Sequence, residues 1–74
     1  MIKIIVYSRS TGKPVKNAKV ALGFGIAGGI TSGQLTDSDG ETVFYKDSGD
    51  GEVYVDGLTR YKGYLTGSIT VYKS

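Results

Sequence analysis

The chain has 74 residues, a formal net charge of +2, and neither cysteine nor histidine. That length allows one domain, 1–74, and the composition excludes both a disulfide framework and a zinc site of the usual kind. A domain this size buries only about 60% of the surface its unfolded chain exposes, so stability must come from packing and hydrogen bonding, with association as an optional further source. The nine basic residues are scattered from Lys3 to Lys73 with acids among them, which describes a solvated surface and not a nucleic-acid footprint. No apolar run approaches the length of a membrane span.

Twelve glycines and one proline punctuate segments rich in Val, Ile, Thr and Tyr. None of these segments holds a 3.6-residue apolar period, so strands are expected throughout. Ile2 to Ser8 is the first, ended by the turn Ser10-Thr11-Gly12-Lys13-Pro14. Ala18 to Phe24 is the second, and alternation sends Ala18, Val20, Leu22 and Phe24 into the core. Gly25 to Gly33 is expected as a mobile connection that tucks Ile26 and Ile30 against something apolar. Gln34 to Thr36 is a brief strand, and Asp37-Ser38-Asp39-Gly40 is a tight turn in which short acids bond nearby amides.

Glu41 to Lys46 is a further strand, and Asp47 to Gly51 a further turn. Glu52 to Asp56 follows with Val53 and Val55 on one face and Tyr54 on the other. Gly57 to Gly63 is expected to be irregular, and Tyr64 to Tyr72 is the last strand, with Ile69 and Val71 inward. Short strands at regular spacing predict an all-β fold, a small Greek-key-type sandwich of about six to seven strands.

The order of these signals resembles the carboxypeptidase regulatory-like family of the transthyretin-like (prealbumin-like) sandwich. Thr11-Gly12-Lys13-Pro14-Val15-Lys16-Asn17-Ala18-Lys19-Val20 is similar to that family's T-G-x-P-[VLI]-x-x-A-x-V. Thr36-Asp37-Ser38-Asp39-Gly40-Glu41-Thr42-Val43-Phe44 is similar to its T-D-x-x-G-x-[FA]-x-F. Gly51-Glu52-Val53-Tyr54-Val55 is like G-x-Y-x-V with valine and tyrosine exchanged, and Lys62-Gly63-Tyr64 resembles the closing G-Y. The resemblance implies a transthyretin-like sandwich, and the exchange at 53 and 54 leaves an aromatic ring on the surface.

Catalytic chemistry finds no candidates. Enzymes of the transthyretin-like group that hydrolyse 5-hydroxyisourate depend on histidines and end in Tyr-Arg-Gly-Ser, which the terminus Tyr72-Lys73-Ser74 matches only faintly. No serine or threonine has a visible base partner, and Asp47 and Asp50 lie in a turn that offers no pocket. Asp37, Asp39 and Glu41 fall short of a calcium loop, which needs about six oxygens and a bidentate acid further on. The glycines from 23 to 33 lack the lysine and helix start of a phosphate loop. The expectation is therefore a protein without catalytic residues, metal or cofactor.

What the sequence does offer is outward aromatics. The resemblance aligns Val6, five residues before Thr11, with that family's inward valine, which implies Ile2, Ile4 and Val6 in the core and Lys3, Ile5 and Tyr7 facing outward. With Tyr72 of the last strand alongside, Ile5, Tyr7 and Tyr72 form an apolar patch through which the chain meets a second copy, as a homo-oligomer, or another protein partner. The competing reading has the Ile26–Ile30 loop covering that patch. A second class of function is a carbohydrate-binding module using Tyr54, Tyr61 and Tyr64 near the loops 25–33 and 58–64; a hydrolase is the remote third. The first strand begins beside Met1 with no leader pattern ahead of it. Taken as complete, the chain is expected in the cytoplasm; taken as an excised module, outside the cell.

Overall fold

The computed structural model describes residues 1–73, with the side chains of Ile26 and Ala27 outside the description. Seven strands make two sheets: β1 (Ile2–Ser8), β2 (Lys19–Gly23), β3 (Gln34–Leu35), β4 (Glu41–Phe44), β5 (Gly49–Val55), β6 (Leu58–Leu65) and β7 (Gly67–Lys73). The order is β4-β1-β7 in the smaller sheet and β3-β2-β5-β6 in the larger. All pairings are antiparallel except β1 with β7, which run parallel over their whole lengths. The fold is an all-β sandwich, as the period-2 pattern requires.

The core lies between the sheets. Ile2, Ile4 and Val6 of β1 and Val20 and Leu22 of β2 are wholly buried, as are Val53 of β5 and Leu65 of β6. Each such side chain contributes about 1.5–3 kcal/mol relative to exposure. Ala18, Phe44, Val55, Ile69 and Val71 complete this cluster, with Val15, Phe24 and Tyr61 packed partly against it.

Buried Thr36 ties the entry of β2 to the end of β3. Its hydroxyl accepts the Ala18 N–H at 2.9 Å and donates to the Val15 carbonyl at 2.5 Å. The turn after it is closed by Asp37, whose Oδ1 accepts the N–H groups of Asp39 at 2.9 Å and Glu41 at 3.0 Å, with Gly40 at φ 76°.

Four details depart from the sequence expectations. The stretch 57–63 is not irregular: after the two-residue turn Asp56-Gly57, residues 58–63 lie within β6, paired with β5. Both turn residues have positive φ, 51° and 86°, the conformation that Asp-Gly favours in two-residue hairpins. The register shifts by one between Val53–Tyr61 and Tyr54–Thr59, leaving Arg60 as the extra residue of a bulge. Second, the strand expected over 64–72 is two strands, because the chain leaves the larger sheet at Leu65 and enters the smaller at Gly67.

Third, β4 stops at Phe44, and Gly49 already pairs with Leu65, so the turn expected over 47–51 is shorter. Fourth, Ile30 is not tucked in. It is 70% exposed, beyond a single helical turn α1 (Gly25–Gly28), where it bridges to Gly23. The side chain of Ile26, named with it above, lies outside the described residues, as does Ser74.

Candidate interaction surface

The outward residues of β1 follow from its alternation, and the parallel register brings β7 beside them: Ile5 sits opposite Thr70 and Tyr7 opposite Tyr72. The two tyrosine rings are 6.5 Å apart between centroids at an interplanar angle of 37°. Ile5 and Tyr7 are half-buried, and Tyr72 is 47% exposed. Arg9 continues the outward alternation of β1, with its guanidinium carbon 5.0 Å from the Tyr72 centroid, within the range of a cation–π contact. Its backbone N–H donates to the Lys73 carbonyl at 2.8 Å.

Across β1 on the same face, Lys3 pairs with Glu41 of β4 at 3.4 Å, and half-buried Val43 lies opposite Lys3. The structure thus brings Ile5, Tyr7 and Tyr72 together and adds Arg9, which the tyrosine argument passed over. The signal for it was present, since Arg9 is two residues beyond Tyr7 in the same alternation. Residues 30–31, which the competing reading had covering this patch, attach elsewhere. The Thr31 N–H donates to the Leu22 carbonyl at 2.8 Å, and its hydroxyl accepts the Leu22 N–H at 3.0 Å, so they lie along β2 in the other sheet.

Tyr54, Tyr61 and Tyr64 do not share one face. Tyr54 is outward on β5, whereas Tyr61 sits opposite inward Val53 and packs on the core. Tyr64 is exposed opposite Asp50, further along the hairpin than Tyr54. The Tyr54 ring lies over Gly23, where an added Cβ would come within 2.8 Å of it, and its hydroxyl donates to Glu52 at 3.3 Å. Its phenol is held above the ordinary value, first by desolvation and then by the Glu52 carboxylate. Beside it, Lys19, Ala21, Ile30, Thr31 and Asp56 border an open cleft of about 790 Å³ on the larger sheet.

Asp56 ties that hairpin to the smaller sheet. Its Oδ1 accepts the Lys19 N–H at 3.0 Å and its Oδ2 pairs with the Lys73 ammonium. The Lys73 hydrogen bond, foremost, and the Lys19 amide hold this carboxyl below the usual Asp range. Asp37, Asp39, Asp47 and Asp50 are all exposed. Among the described residues no three His, Cys, Asp or Glu side chains gather to hold a metal, and no helix is long and apolar enough to cross a membrane.

Fold and surface define a seven-stranded, two-sheet sandwich with an aromatic strip on the outer face of its smaller sheet. No family model, curated protein or solved structure matches the chain.

Proposed function

We propose that the chain is a non-catalytic structural or protein-interaction module of the carboxypeptidase regulatory-like, transthyretin-like kind. It meets a second copy of itself through the outer face of β4-β1-β7. The observation that carries this reading is the contiguity of Ile5, Tyr7 and Tyr72, uncovered by residues 30–31 and topped by Arg9. Aromatic and Arg side chains are enriched at interfaces and supply most of their hot spots. The face is also compatible with its own copy in charge, because Lys3 and Arg9 share it with Glu41.

The family reading is supported by how its two stronger motifs fold. The Gly12 turn carries the chain from β1 toward buried Ala18, and the Asp37–Gly40 turn precedes inward Phe44. The test compares the solution mass of the wild type with Ile5→Lys and Tyr7→Ser over a series reaching millimolar concentration. The expected result is a concentration-dependent oligomer that both substitutions weaken. A wild type that stays monomeric throughout would refute the self-association.

One observation favours a second reading, a carbohydrate-binding module: the Tyr54 ring beside the cleft, next to the polar groups of Lys19, Thr31 and Asp56. Tyr61 and Tyr64 take no part in it. Titration with soluble glycans, read by tyrosine fluorescence, should give saturable binding lost in Tyr54→Ala. No saturation with any glycan removes this reading.

A further inference from the structure

An open sandwich has strand edges whose unpaired N–H and C=O groups can template another strand, and proteins guard them by shortness, charge or bulges. Three of the four edges here are guarded. β3 has two residues and β4 has four, with Glu41 at its start. β6 is long but carries the Arg60 bulge, then Lys62. β7 is different: seven residues with no bulge and no proline, whose sole charge, Lys73, lies at its end and is paired with Asp56. Its Ile69, at 8% exposure, is also the least covered residue of the hydrophobic core cluster.

Hydrogen bonds fix which groups of β7 are free. The Val6 N–H donates to Gly40 and its carbonyl accepts from Val15, so Val6 faces away from β7, while the Lys73 carbonyl accepts from Arg9. In a parallel ladder the N–H and C=O of one residue point the same way and alternate along the strand. Ile69, Val71 and Lys73 therefore bond toward β1, and Ser68, Thr70 and Tyr72 present their N–H and C=O groups to the open side. Among the described residues no backbone hydrogen bond reaches that side.

We infer that the free edge of β7 is a strand-pairing site for β7 of a second copy, antiparallel about a two-fold axis through Thr70. The inference extends the interaction-module reading to a different surface. The open groups are symmetric about Thr70, so Thr70 exchanges both hydrogen bonds with its counterpart and Ser68 does so with Tyr72 of the second copy. Every open N–H and C=O of the strand is then paired. Inward Ile69 falls opposite inward Val71, which extends the core across the axis, and Thr–Thr pairs are favourable across strands. No two like charges oppose one another, since Lys73 meets Gly67. The two smaller sheets become one of six strands, with Ile5, Tyr7 and Tyr72 of both copies on the same side.

The deciding substitution is Thr70→Pro. It deletes an N–H that bonds nothing within the chain, at an edge position where proline is tolerated. The expected result is a monomer whose strand content and thermal midpoint match monomeric wild type, with the dimer dissociation constant raised at least about tenfold. Amide hydrogen exchange supplies the second readout. In the wild type, protection of Ser68, Thr70 and Tyr72 should rise with protein concentration, while Ile69 and Val71 are already protected in dilute solution. Stacking through Ile5 and Tyr7 would not produce that alternation, so dimers lost in Ile5→Lys but kept in Thr70→Pro overturn the edge and leave the face standing. Dimers lost in Thr70→Pro but kept in Ile5→Lys do the reverse. A monomeric wild type at millimolar concentration, or exchange at all three open amides that is independent of concentration, overturns the inference.

Discussion

Replacing Thr36 by valine keeps the shape and the β-branch of a side chain that is 2% exposed and removes only its hydroxyl. That hydroxyl has two partners, the Ala18 N–H at 2.9 Å and the Val15 carbonyl at 2.5 Å. Ala18 is 1% exposed, so water cannot replace the lost acceptor, and a buried donor left without one costs about 1–3 kcal/mol. Val15 is half-buried and its carbonyl can recover part of its loss from solvent. Near the middle of that range, about 2 kcal/mol, a domain of this size should melt roughly 8–16 °C lower. Urea denaturation should show a lower midpoint at unchanged slope, because the same surface is exposed on unfolding. Thr42→Val is the matched control. Thr42 is also buried, at 8% exposure, but its hydroxyl makes only a 3.4 Å contact with Gln34 Oε1. Its loss should change stability by no more than about 0.5 kcal/mol. If Thr36→Val is as stable as the wild type, or Thr42→Val costs as much, the hydroxyl of Thr36 does not hold β2 to β3 as argued.

Gly51→Ala should cost at least about 3 kcal/mol, the upper end of overpacking penalties, because its Cβ would stand 2.1 Å from the Gly23 carbonyl oxygen, which is backbone and cannot swing aside. A melting temperature within a few degrees of wild type would contradict that contact. Asp56 has a folded pKa below the ordinary value of about 3.9, through Lys73 first and then Lys19; its stabilisation is therefore present above that ordinary value and lost as pH falls through the lowered one. Asp56→Asn, which preserves the turn, should lose at most about 1 kcal/mol at neutral pH, since the pair is more than a third exposed, and should flatten the fall of the urea midpoint below about pH 4. Parallel acid limbs would count against the pairing. Millimolar calcium should leave the melting temperature where magnesium leaves it, because Asp37 Oδ1 already serves two amides and Glu41 pairs with Lys3. A calcium-specific rise approaching the ~2.7 kcal/mol of a site held at a hundred times its dissociation constant, abolished in Asp39→Ala, would reverse that expectation.

What could be read from the residues was what period-2 alternation controls. It put Val53 and Val55 inward against Tyr54, and Ile69 and Val71 inward against Tyr72; in β1, where Ile4, Ile5 and Val6 are all apolar, the choice of Ile2, Ile4 and Val6 as the inward set came from the family resemblance at Val6. The hairpin of β5 and β6 escaped because β6 is an edge strand, largely exposed and polar, with Gly63 inside it and a bulge at Arg60. Its clearest signal was the pair Asp56-Gly57, which marks a two-residue hairpin turn between strands. The move between sheets at Thr66 escaped for another reason. Leu65 and Ile69 are both buried, and their even spacing resembles one continuous strand, yet they line opposite sides of the core.

The two groups of tyrosines show where that legibility ends. Alternation decides which face a side chain takes but says nothing about which strand lies alongside. The contiguity of Tyr7 and Tyr72 rests on a parallel pairing between the two ends of the chain that no local pattern encodes. Within β6 the failure is local: one extra residue reverses the face of everything beyond it. Thr59, opposite Tyr54, stays on the outer face, and with Arg60 inserted Tyr61 falls inward against the core beside Val53. If Arg60 were paired and not bulged, strict alternation from Thr59 would carry Tyr61 outward, next to Tyr54 and close to the cleft. Deleting Arg60 therefore offers a direct comparison. With the extra residue gone, Tyr61 directly follows Thr59 and still falls opposite Val53, so the shortened hairpin should fold without the bulge and keep Tyr61 as shielded from acrylamide quenching of tyrosine fluorescence as in the wild type. A deletion variant in which acrylamide quenching rises, or in which the hairpin is lost, would show that Arg60 is not the extra residue that sets the register.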